Sequence, residues 1–122
     1  MAPPPSKTDI PAASLTGLRV LLADDNRVNR EVVKLFLTPY DAHITEAENG
    51  QQVLDALARD IFDILLLDVH MPVMDGMEAL SMLRASDAPY RDIPVIALTA
   101  DAMAGDRERF LSKGANGYVT KP

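Results

Sequence analysis

The chain has 122 residues, 48% of them hydrophobic and 25% charged, which fits one domain with enough chain to bury a core. Its 12 basic and 18 acidic side chains leave a net charge of -6, which argues against a surface that tracks nucleic-acid phosphates with clustered Lys and Arg. Cysteine is absent, so disulfides, thiolate metal sites and a Cys nucleophile are excluded.

Residues 1–16 carry Pro3, Pro4, Pro5 and Pro11 among small and polar residues. Such a segment buries too little apolar surface to offset its ordering entropy, so a disordered Pro-rich linker is expected there. An ordinary frayed terminus is the alternative. The segment lacks the apolar core of a signal peptide, and no apolar run in the chain approaches the ~20 residues of a membrane span. The expected setting is cytoplasmic, with no membrane contact by this segment.

From Leu18 the pattern becomes regular. Leu18 to Ala23 is an apolar strand that ends in Asp24-Asp25. Val28, Val32, Leu35 and Phe36 are spaced for one face of a helix that Pro39 terminates. His43 to Ala47 is a short strand, and Asn49-Gly50 turns into a helix with Val53, Leu54 and Leu57 inward. Ile64 to Leu67 is a continuous apolar run closed by Asp68, the signature of a strand buried on both faces of a parallel sheet. A helix with Gly76, Ala79, Leu80 and Leu83 inward follows, with Asp75 as its cap. Pro94 to Thr99 is the fourth strand, because proline is tolerated at a strand's first residue. Ala102 to Lys113 reads as a poorly amphipathic helix anchored by Phe110 and Leu111, stopped by Gly114. Gly117 to Thr120 is a short fifth strand before Lys121-Pro122. Alternating strands and helices with short connections predict an α/β, doubly wound fold with a parallel sheet and right-handed crossovers.

In a parallel sheet all strands end on one edge, so Asp24, Asp25, Asp68, Thr99 and Lys121 converge there. Carboxylates held that close repel one another unless a cation neutralises them. Oxygen-only ligands point to Mg2+, which takes one or two carboxylates and keeps several waters. The Lys121 ammonium and the Thr99 hydroxyl suit the oxygens of a transferring phosphoryl group, and a central carboxylate can accept phosphate covalently.

Asp24-Asp25-Asn26, Leu67 to Pro72 with Asp75-Gly76, Leu98-Thr99-Ala100 and Tyr118 to Pro122 closely resemble the receiver domains of two-component response regulators. The resemblance covers residues 18–122, and Ala23 to Arg30 and Thr99 to Arg107 look most like receivers attached to hybrid histidine kinases. It implies a flavodoxin-like sheet of order 2-1-3-4-5 in a receiver domain spanning 17–122. It implies that Asp68 takes phosphate from a phosphohistidine on a histidine kinase or histidine phosphotransfer protein, the domain catalysing its own phosphorylation and dephosphorylation. Asp25 and Asp68 would ligate Mg2+ directly, joined by the backbone carbonyl of His70, with Asp24 acting through water. Lys121 would bind the phosphoryl oxygens, while Thr99 and Tyr118 would act as the switch that reshapes the helix 4/strand 5 face. The Lys121-Pro122 bond resembles the family's cis-proline junction. Receiver domains carry a fifth helix that is absent from these residues, so exposed apolar surface is expected on the first and fifth strands. A homodimer is among the assemblies the family implies.

Other readings compete. Asp24 and Asp25 can be helix caps, since Asp before a helix is common. Tyr118 can be a plain strand aromatic, and His70 and His43 have no partnering metal motif, so a loop role and a structural role are expected of their side chains. A haloacid dehalogenase-type phosphatase wants an Asp-x-Asp pair at one strand end, whereas Asp24 and Asp25 are adjacent and His70 stands two after Asp68. A pseudo-receiver that binds partners without phosphorylation is opposed by the intact set of Asp25, Asp68, Thr99 and Lys121.

Overall fold

A computed structural model describes residues 17–99 and 106–120. Five strands, β1 (Arg19–Ala23), β2 (His43–Ala47), β3 (Ile64–Asp68), β4 (Val95–Thr99) and β5 (Gly117–Thr120), form one sheet in the order β2-β1-β3-β4-β5. Every pairing is parallel, with Ala23 opposite Ala47 and Leu67, Asp68 opposite Leu98, and Thr99 opposite Thr120. The helices α1 (Arg27–Leu37), α2 (Gly50–Arg59), α3 (Gly76–Ala85) and α4 (Asp106–Ser112) alternate with the strands. Pro39 lies in a 3-10 turn, Thr38–Tyr40, directly after α1, and a second such turn spans Pro89–Asp92.

Local chemistry sets the helix starts. Asn26, Asn49 and Asp75 each accept a backbone N–H from the third residue on, at 3.1, 2.9 and 2.8 Å, which satisfies an otherwise orphaned donor. Asn26 is therefore the cap of α1, and neither Asp24 nor Asp25 fills that role. Gly114 ends the α4 turn at a φ of +112°, a conformation that side chains disfavour.

Chain direction explains how the layers are covered. The β1-to-β2 crossover runs one way along the sheet and the three later crossovers run the other. With right-handed connections this puts α1 on one face and α2, α3 and α4 on the other. The second face is fully packed: Leu21, Leu65, Leu67, Val95 and Ala97 meet Val53, Leu57, Leu80, Leu83 and Phe110 in one core.

The α1 face is different. Val28, Leu35 and Phe36, expected to form the helix's apolar face, are about 70% exposed. A groove of about 350 Å³ separates α1 from the sheet and is lined by Val32, Val33, Phe36, Leu98 and Val119. The apolar side is real, but no other described element covers it. The expected exposure on the fifth strand is present at Val119, whereas Val20 to Ala23 of β1 are fully buried, because β1 lies inside the sheet beneath α1. Leu111 is also exposed, so Phe110 alone anchors α4 among the pair expected to do so. Residues 102–105 of the expected fourth helix lie outside the described residues.

Candidate functional site

The strand order reverses between β1 and β3, and open α/β sheets bind their ligands beyond the carboxyl ends of strands at such a point. Asp24 and Asp25 leave the end of β1, and Asp68 closes β3 beside them. One carboxylate oxygen from each of the three lies within 4.8 Å of the others. Asp24 and Asp68 are 1% and 2% exposed, while Asp25 faces solvent. The ladder carries on past both strand ends, with Asp24 N–H donating to Ala47 O at 3.0 Å and Val69 N–H to Leu98 O at 3.0 Å. The cluster is thus built on the rigid sheet, although its loops continue outward.

The loop backbone returns to the carboxylates. Asn26 N–H donates to Asp24 Oδ1 at 2.9 Å, and His70 N–H donates to Asp68 Oδ1 at 3.3 Å. The His70 side chain is exposed, in keeping with a loop group. Thr99 is buried at the end of β4, next to the β3 end that carries Asp68. Tyr118 lies half-buried, its ring 5.8 Å from that of Phe110. Lys121 and the Lys121-Pro122 junction lie outside the described residues, one step past Thr120.

The contacts that two residues make here were not legible in the sequence. Gly76 opens α3 against the strand end: a Cβ there would collide with the Asp68 carbonyl oxygen and lie 2.9 Å from its carbon. Arg30, buried on α1, donates from Nη1 to the Asp24 carbonyl at 2.7 Å. The Asp75-Gly76 pair was visible as a helix start, but nothing in it signalled the close approach.

The donor set fits Mg2+. It is all oxygen, holds no imidazole or thiolate among the described residues, and combines two buried carboxylates with one open to water. A site of three acids with one side on solvent leaves room for the waters this ion retains.

A family model described as the response regulator receiver domain matches residues 20–122. The chain belongs to that family. Curated relatives of this receiver domain include hybrid signal transduction histidine kinase I of Dictyostelium discoideum, 38% identical over 93% of this chain and 7% of the relative. Sensor protein GacS of Pseudomonas syringae pv. syringae is also 38% identical, over 100% of this chain and 14% of its own length. The receiver domain thus spans a small fraction of these relatives. Among solved structures, the receiver domain of sensor histidine kinase PA1611 from Pseudomonas aeruginosa PAO1, which holds a magnesium ion in its active-site cleft, matches with a TM-score of 0.78. It is 38% identical, with 88% of this chain and 87% of that one covered. A Saccharomyces cerevisiae complex of the phosphotransfer protein Ypd1 with the receiver domain of Ssk1 matches at a TM-score of 0.76 and 28% identity, covering 88% and 80%. The sheet order is that of CheY-like receivers, as expected for the flavodoxin-like fold.

Proposed function

We propose that this receiver domain of a two-component phosphorelay accepts phosphate on Asp68 from a phosphohistidine of a partner, either a histidine kinase or a histidine phosphotransfer protein. One observation carries the reading: Asp68 ends a central strand, buried, with two further carboxylates within 4.8 Å. An Asp68 carboxylate oxygen attacks phosphorus while the bond to the donor imidazole nitrogen breaks, and the imidazole keeps the electron pair and takes up a proton.

Asp25, Asp68 and the His70 carbonyl would hold Mg2+, with Asp24 acting through water; the ion supplies charge neutralisation for the phosphoryl oxygens when bound. The relative with magnesium in its cleft supports that assignment. Lys121 provides a cation toward the phosphoryl group, and Thr99 donates its hydroxyl. Charge-assisted bonds of ~1.5–3 kcal/mol each from Lys121 and Thr99 supply much of the ~5.5 kcal/mol that separates a mostly inactive from a mostly active population. Tyr118, held against Phe110, couples that change to the α4/β5 face. Val28, exposed on the first turn of α1 near the acidic cluster, offers an apolar contact to a phosphotransfer partner; the yeast complex supports a partner of that kind.

The same proposal extends to the rest of the chain. Residues 17–122 act as the receiver module, residues 1–16 as its linker, within a cytoplasmic segment of a hybrid histidine kinase. Among the described residues no helix is long and apolar enough to cross a membrane.

Incubation with acetyl phosphate and Mg2+ should add one phosphoryl group to the wild-type chain and none to Asp68→Ala, read by intact mass. Equal labelling of both would overturn the assignment of Asp68, and labelling of neither would favour a pseudo-receiver that binds partners unphosphorylated.

A further inference from the structure

We propose that Arg30 is a positioning residue for the cation site, fixing the peptide that joins Asp24 to Asp25. The inference rests on the reading of those aspartates as a Mg2+ site.

Arg30 is the one buried residue of α1, at 8% exposure, on a helix whose Val28, Leu35 and Phe36 face outward. A buried guanidinium is costly unless its donors are engaged. Here each nitrogen has a partner: Nη1 donates to the Asp24 carbonyl at 2.7 Å, Nε to Glu46 Oε1 at 2.9 Å, and Nη2 lies 3.5 Å from Glu48 Oε1. Glu46 is held in turn by Lys34 at 3.4 Å. The guanidinium therefore ties the end of β1 to the end of β2 and the loop after it.

The accepting carbonyl matters. It belongs to the peptide unit whose nitrogen is that of Asp25, so its orientation sets ψ of Asp24 and φ of Asp25 together. Those two angles decide where both carboxylates leave the chain. Asn26 N–H on Asp24 Oδ1 fixes the side chain, and Arg30 fixes the plane from which it springs. Only a planar fork reaches a carbonyl and two carboxylates at once; a lysine ammonium on the same stem is a point charge and satisfies fewer. Groups that orient metal ligands without touching the metal typically govern affinity by ten- to a hundredfold.

The test is Mg2+ affinity by calorimetric titration of the purified chain, well below its melting temperature. We expect Arg30→Met to weaken Mg2+ binding about tenfold or more and Arg30→Lys to recover part of the loss. Leu57→Ala, a core truncation near the C-terminal end of α2 and outside the site and the switch, serves as a destabilised control and should bind Mg2+ like the wild type. Arg30→Lys keeps the stem and charge, so it provides the reading if Arg30→Met fails to fold. Wild-type affinity in both Arg30 variants, or an equal loss in Leu57→Ala, overturns the positioning role. Absence of Mg2+ binding by the wild type overturns the site itself and the inference with it.

Discussion

Gly76→Ala isolates how tightly α3 is pressed onto the strand that carries Asp68. In an ordinary helix position the change would stabilise, since alanine exceeds glycine in helix propensity by ~1 kcal/mol. Here the added carbon overlaps the Asp68 carbonyl oxygen and stands 2.9 Å from the Asp68 carbonyl carbon and 3.2 Å from Leu67 Cγ. Two of those obstacles are backbone atoms of a strand paired on both sides, so neither can swing away. Overpacking costs ~1–3 kcal/mol. Displacing the helix also strains the Gly76 N–H bond to Val69 O at 3.0 Å, worth ~1 kcal/mol. The clash wins, and the net loss is about 1–3 kcal/mol. For a domain of this size that corresponds to a fall in melting temperature of about 5–20 °C. Thermal unfolding followed by circular dichroism, in EDTA, measures it. A midpoint at or above the parent's would refute the reasoning, because it would mean that the loop from Val69 to Asp75 yields freely.

Two further outcomes concern charge. With Mg2+ chelated, Asp25→Asn should raise the midpoint by the few degrees that ~1 kcal/mol of relieved repulsion provides, and millimolar Mg2+ should stabilise the parent but not the variant; a variant no more stable than the parent in EDTA would show the acids already neutralised within the protein. Glu46 is held below the usual carboxylate range, first by its bond to Arg30 and then by Lys34. A depressed folded pKa means stability that is present above pH ~4.5 and lost as pH falls through the lower folded value. Urea midpoints measured from neutral pH downward should therefore fall less steeply below pH ~4.5 in Glu46→Gln, and parallel curves for the two proteins would refute the contribution.

The sequence showed the parts of this molecule that local chemistry dictates. Apolar runs ending in carboxylates located β1 and β3 and the acids at their tips, and Asn49 and Asp75 marked helix starts that the structure places at those residues. Periodicity told which sides of α1 were apolar, but not what would lie against them. That depends on the reversal of chain direction at β2, a property of the whole sheet. The same limit hid Leu111, spaced like an anchor yet exposed, and Arg30, whose role exists only because the ends of β1 and β2 come together around it. Gly76 stood in plain view as half of an Asp-Gly pair, but a contact with the backbone eight residues earlier leaves no trace in composition.

The groove between α1 and β5 also bears on how the molecule behaves in solution. Phe36 and Val119 place apolar surface at this groove, and β5 pairs with β4 on one side and with no other described strand on its outer side. The opposite edge, β2, displays His43 and Glu46, with Lys34 near by. One rim of the sheet is thus hydrated and charged, and the other is adhesive. Net charge of -6 keeps molecules apart only over a Debye length of ~10 Å at 0.1 M salt. Concentrated preparations of these 122 residues should therefore be colloidally more tolerant of low ionic strength than of high, with particle growth beginning on the β5 side.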